Sequence, residues 1–147
     1  MYRQPEPFLE AVKAGRLVLP FCDDCSQYHW YPMPRCPHCS SDQIAWRDVK
    51  DVARLFTWTV VRHAFAPELA DKVPFVLALV EPTEAPGVRL VTNIYDCDPS
   101  DLHIGALLRA DFRCPVWSDT PYPVFCIDQT EMHPRDIPLE SSIKEQQ

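Results

Sequence analysis

The chain has 147 residues, 46% hydrophobic and 24% charged, enough for one ordinary domain or two small ones that share a core. Its formal net charge of −7, without any basic run, argues against general binding to a phosphate backbone, so nucleic acid is not an expected partner. No apolar run reaches membrane-spanning length, and Met1-Tyr-Arg-Gln-Pro-Glu-Pro7 lacks the apolar core of a signal peptide, so a cytoplasmic protein with no membrane association is expected. Sixteen prolines against three glycines, spread along the chain, point to many fixed turns rather than to a low-complexity linker.

Residues 5–14 read as a short helix: Pro5 and Pro7 suit its first turn, Phe8, Leu9 and Val12 fall on one face, and Gly15 suits its C-terminal cap. So short a helix must pack its apolar face on this chain or on a partner. Leu17-Val18-Leu19 is a strand leading to the strongest motif in the chain, Cys22-Asp-Asp-Cys25 followed by Cys36-Pro-His-Cys39. A tight turn brings cysteines three apart onto one centre, and two such turns complete a tetrahedral four-sulfur site. Such a site has no open position for water or substrate, so Cys22, Cys25, Cys36 and Cys39 are expected to hold one structural zinc per chain.

Between the pairs, Tyr28-His29-Trp30-Tyr31 suggests an aromatic hairpin over the metal turns, with His29 and His38 as surface or turn residues. Arg35 is either a phosphate contact or a solvated charge beside an anionic site. The remaining Cys97, Cys114 and Cys126 read as buried thiols, with a Cys114–Cys126 bridge as the weaker alternative.

From residue 46 the pattern is β-type. Val52 to His63 is a long strand, with Phe56, Trp58 and Val60 on one face and Leu55 and Val61 on the other. A connection over 64–73, with a possible helical turn, ends at Pro74. Strands follow over Phe75–Val80, Val88–Tyr95, Leu107–Cys114 and Tyr122–Ile127, and 131–147 is a polar, proline-bearing tail. Five strands, the first long, predict a small Greek-key barrel of the OB type, since an immunoglobulin-like sandwich would want about seven. The whole is then mainly β: a helical segment over 1–16, a zinc ribbon over 17–47, a five-stranded OB-type barrel over 48–128 and a tail over 129–147.

Several of these stretches, in this order, resemble a known family. They are Gly15-Arg16-Leu17, the two cysteine pairs with Pro34-Arg35-Cys36-Pro37 and Trp46, Thr57-Trp58-Thr59-Val60-Val61-Arg62-His63, Pro74-Phe75 to Glu81, Leu90-Val91-Thr92-Asn93 and Asp101-Leu102-His103-Ile104-Gly105. The resemblance, over residues 6–127, is to the zinc-ribbon/OB-fold proteins long catalogued as a domain of unknown function and also called acyl-CoA-associated OB-fold proteins. It implies a rubredoxin-like ribbon, an OB barrel, and company with thiolase-superfamily enzymes in thioester condensation or steroid side-chain breakdown. Two departures stand out: Ser26 and Ser40 follow the cysteine pairs where the family usually has glycine, and Lys50-Asp51-Val52-Ala53-Arg54 replaces a glycine-rich start to the first barrel strand.

The function expected is therefore a non-catalytic accessory or scaffold subunit that helps hold a CoA thioester for a thiolase-like partner. It would form a hetero-oligomer, or a homodimer in isolation. No nucleophile-plus-base constellation is visible. Trp58, Arg62, His63, Phe65, Phe75 and Asn93 are the candidate ligand residues: aromatic faces for an adenine or pantetheine arm, Arg62 for a phosphate, His63 as the lone candidate base. The alternative is a single-stranded nucleic-acid-binding module, and a free-standing enzyme ranks last.

Overall fold

In the computed structural model, which describes residues 5–131, the first element is a helix, α1 (Glu6–Lys13). Pro5 precedes it, and Gly15 takes the left-handed conformation that ends it, φ 73°. Gly15 N–H donates to Val12 O and Arg16 N–H to Ala11 O, the two bonds of a Schellman cap. Phe8, Ala11 and Val12 are the buried face, whereas Leu9 is only half-buried, so the apolar stripe sits one position away from the expected one. The face packs on this chain, against Val18, Trp30, Trp46, Phe112 and Tyr122.

Three strands make the first sheet. β1 (Leu17–Cys22) lies between β2 (Gln27–Tyr28) and β3 (Ile44–Val49), both antiparallel to it. The strand pattern from residue 46 thus begins within the ribbon sheet, where Trp46 pairs opposite Pro20. The aromatic hairpin does not form over the metal turns: β2 is two residues long, and Trp30 turns instead to α1, its ring 5.1 Å from that of Phe8. His29 is not a surface residue either; it is 3% exposed.

The other five strands close a barrel. They are β4 (Val52–Val61), β5 (Phe75–Pro82), β6 (Leu90–Ile94), β7 (Leu107–Arg113) and β8 (Tyr122–Ile127), in the order β4-β5-β6-β8-β7. This is the five-stranded OB-type barrel expected, with only β6 and β8 parallel. Short 3₁₀ turns at Pro67–Leu69, Pro99–Asp101 and Gln129–Glu131 lie between or after strands. The expected arm beyond residue 131 lies outside the described residues, as do residues 1–4.

Alternation breaks on β4. Its register against β5 passes from Leu55↔Val80 to Thr57↔Leu79, so Phe56 is an extra residue in a bulge. The inward set is Ala53 and Leu55, then Trp58 and Val60. Phe56 does not share a face with Trp58; it is 42% exposed, with the Arg89 guanidinium 3.8 Å above its ring.

One core serves both sheets. Leu17 and Leu19 of β1 and Val49 of β3 pack with Leu55, Val80, Leu90, Leu108 and Phe125 of the barrel. Two buried polar groups of the barrel are paired: Thr92 Oγ1 donates to Pro123 O at 2.8 Å, and Asp128 accepts from Thr130 and, at 2.9 Å, from Arg109, which also reaches Asp51. The remaining cysteines form no disulfide. Cys97 and Cys126 are half-buried, but Cys114 is exposed rather than buried, because β7 ends one residue before it.

Candidate metal centre and ligand surface

The first cysteine turn caps the β1–β2 hairpin, with Cys22 ending β1 and Cys25 in the turn; the second, Cys36 to Cys39, lies in the loop before β3. The two turns have the same build. Ser26 N–H donates to Cys22 O at 2.8 Å and Ser40 N–H to Cys36 O at 2.9 Å, and both serines are left-handed, with φ 58° and 65°. Contacts across the turns hold them face to face: Ser41 Oγ to the Asp24 carboxylate, and Asp23 N–H to Gln43 O. Arg35 is neither free nor poised for phosphate alone, since its guanidinium donates to Ser40 O at 3.1 Å.

The four sulfurs lie within 4.8 Å of one another. The shortest approaches run between turns, 3.5 Å for Cys22 to Cys39 and 3.6 Å for Cys25 to Cys36. A tetrahedral zinc with bonds of about 2.3 Å needs sulfurs about 3.8 Å apart, so the donor set fits that ion. Electrostatics agree. Backbone N–H groups, that of Cys25 foremost, hold the Cys22 thiol down at about 7, while burial and the neighbouring sulfurs push Cys25 up to about 12. Four touching sulfurs cannot all ionise unaided, and a divalent cation removes the conflict. His38 stands outside the set: its backbone N–H donates to Cys36 Sγ at 3.4 Å, an outer-shell bond that steadies a ligand.

The six candidate ligand residues divide into two groups. Trp58 is half-buried against the barrel core, Arg62 and His63 follow the end of β4, Phe65 is 77% exposed just beyond, and Phe75 opens β5 opposite Val61. Four of these belong to one end of the β4–β5 pair, whereas Trp58 sits mid-strand opposite Ala78, on the inward face. Asn93 is fully buried, and its amide is spent on the fold, donating to Val76 O and accepting from Val116 N–H, both at 2.9 Å. Two open clefts exist elsewhere: one of about 340 Å³ along Arg109–Asp111 and Cys126–Gln129, and one of about 310 Å³ between the ribbon at Ser26–Tyr28 and the turn at Glu84–Gly87. Neither is lined by any of the six. Sequence reasoning did not single out Phe56, Ile104 or Trp117, exposed at 42%, 74% and 45%, because exposed apolar residues leave no periodic signal.

Residues 9–45 match the model of the ChsH2 rubredoxin-like zinc ribbon domain, and residues 46–113 that of the ChsH2 C-terminal OB-fold domain. A curated protein of Thermomonospora curvata named "Probable enoyl-CoA hydratase alpha subunit" is 37% identical over 105 residues, 71% of this chain and 32% of that protein. A "DUF35 domain-containing scaffold protein" of Methanocaldococcus jannaschii is 29% identical over 94 residues, 63% of this chain and 64% of the relative. The chain thus spans about a third of the first relative and under two thirds of the second. Among solved structures, the "Ltp2-ChsH2(DUF35) aldolase" is similar with a TM-score of 0.71 and 31% identity, over 86% of this chain and 96% of that one. A Sulfolobus solfataricus protein of the DUF35 family, described as of unknown function, shares the fold at a TM-score of 0.59 and 18% identity, over 84% of each chain.

Proposed function

Because the chain belongs to the ChsH2 family of paired zinc-ribbon and OB-fold domains, we propose that it is the non-catalytic scaffold subunit of an acyl-CoA enzyme complex. Its four cysteines hold one structural zinc, which joins the two turns and lends the ribbon folding energy. Its partner is a thiolase-like enzyme of lipid or steroid side-chain metabolism, and the complex resides in the cytoplasm. The observation that carries this reading is the likeness over 96% of the ChsH2 component of a solved aldolase. The hydratase subunit and the scaffold protein among the relatives support the same class.

In this reading the CoA thioester lies between the two proteins. Arg62, His63, Phe65 and Phe75 supply one wall of a ligand site, with Trp58 on its core side, and the enzyme supplies the other. Asn93 braces that wall from behind.

Co-purification from the native host tests the assignment. A thiolase-like enzyme should accompany the chain, and CoA should bind the complex more tightly than the isolated chain in calorimetry. Neither a partner nor CoA binding in either form would defeat it.

A further inference from the structure

Backbone pairing along β4 is complete on one side and stops halfway on the other. Toward β5 it runs from Ala53 to Val61. Toward β7 only Val52 to Arg54 are paired. Leu55 is then held by the turn before β7, its N–H donating to Ala106 O at 2.9 Å and its carbonyl accepting from Gly105 N–H at 2.7 Å. From Phe56 to Val61 that side has no backbone partner among the described residues.

This open edge, Phe-Thr-Trp-Thr-Val-Val, carries no proline and no charge; of the usual protections it has the bulge at Phe56. Exposed apolar side chains stand at both ends. Ile104, 74% exposed, adjoins Gly105 at one, and Phe65, 77% exposed, lies beyond the other. A row of unsatisfied donors and acceptors between two apolar knobs has the form of a strand-addition site.

We propose that the open edge of β4 takes an extended segment of the partner enzyme that places an acidic residue beside Arg62. Charge selects this occupant. Arg62 has no ion pair among the described residues, and exposed His63 follows it. A second copy of the chain, paired antiparallel about Trp58 and Thr59, would run its Arg62 and His63 against Leu55 and Arg54, whose backbone on that side is already taken by the turn before β7 and by β7, crowding basic groups together at both ends. A foreign strand with an acidic flank meets no such repulsion and satisfies the same backbone groups. The proposal rests on the reading of the chain as an enzyme subunit.

Amide hydrogen exchange tests it, comparing the isolated chain with the complex purified from the native host, without CoA. The amides of residues 56–61 that point away from β5 should exchange fast in the isolated chain and about 100-fold more slowly in the complex. Arg62→Glu should weaken assembly about tenfold with unchanged thermal unfolding, and Arg62→Lys should restore it. A complex in which those outward amides stay unprotected overturns the strand addition alone. Full protection in the isolated chain overturns it too, since this chain's own terminus or a second copy would then cover the edge. Unaltered assembly of Arg62→Glu overturns the acidic occupant. Failure to form any complex overturns the subunit reading, and this inference with it.

Discussion

Ser26 and Ser40 are conformational twins: each follows a cysteine pair, each is left-handed, and each donates its N–H to the carbonyl of the first cysteine of its pair. Left-handed backbone costs a residue with a side chain about 1–2 kcal/mol, of which glycine's extra freedom when unfolded returns part. Ser26→Gly and Ser40→Gly should therefore each stabilise the metal-loaded chain by about 0.5–1 kcal/mol. Thermal or urea unfolding would show it, and a loss of stability in both would contradict the conformational account.

Cysteine removal should act in the opposite sense. In Cys22→Ser or Cys36→Ser one corner of the sulfur tetrahedron is lost, and a ribbon sheet whose middle strand ends at Cys22 loses its clamp. Zinc binding in small zinc-finger peptides is worth roughly 10–16 kcal/mol, far more than one small sheet can replace. Metal analysis should find less than one zinc per chain, and ribbon amides should lose protection. Unchanged metal content and protection in either variant would refute a structural zinc.

His29 is 3% exposed, and neither ring nitrogen has a hydrogen-bond partner among the described residues. Burial first, and the nearby His38 second, hold its pKa below the ordinary 6.5. The unfolded chain then takes up a proton at a higher pH than the folded one. Stability is present in full above pH 6.5 and falls as the pH drops from there toward the folded value. His29→Phe should raise stability at neutral pH by about 1–2 kcal/mol and flatten the decline below pH 6.5. Denaturant midpoints across that range measure both effects, and parallel curves for the two proteins would sink the argument.

Asn93 separates a bracing role from ligand contact. Its amide ties β6 to Val76 of β5 and to Val116 in the loop after β7. Asn93→Ala leaves the buried Val76 carbonyl and the half-buried Val116 N–H without this partner, and should cost about 1–3 kcal/mol of stability. CoA affinity of the intact complex, measured below the melting range, should stay within about twofold of the parent, whereas Phe65→Ala should weaken it several-fold. The reverse ranking would place Asn93 in the ligand site.

How much of the structure is legible in the sequence follows how local each determinant is. The cysteine pairs announce their turns because the spacing is itself the geometry. Val88, Leu90, Thr92 and Ile94 were readable as one face, and all four are buried. Gly15 marked the helix end because only its immediate neighbours decide the cap. The bulge at Phe56 was not legible, since its apolar side chain continues the alternation that the backbone breaks. Nor was the burial of His29, which follows from how the loop after β2 folds back, with His29 N–H on Pro20 O. Ligand residues fared likewise: nothing in the residues around Asn93 distinguishes an amide aimed at a ligand from one aimed at Val76 O.

Phe8 also bears on how the chain is made. It touches Trp30 and Trp46 of the ribbon and Tyr122 of the last barrel strand, with ring centroids 5.1, 6.3 and 5.8 Å away. On the ribosome the helix emerges ahead of both halves of its seat, and the half at Tyr122 comes long after the half in the ribbon. It can dock on the ribbon early, but its second face waits uncovered until Tyr122 has left the exit tunnel. A nascent chain stalled before that residue would show the uncovered face of the helix to chaperones, and release of β8 would withdraw it.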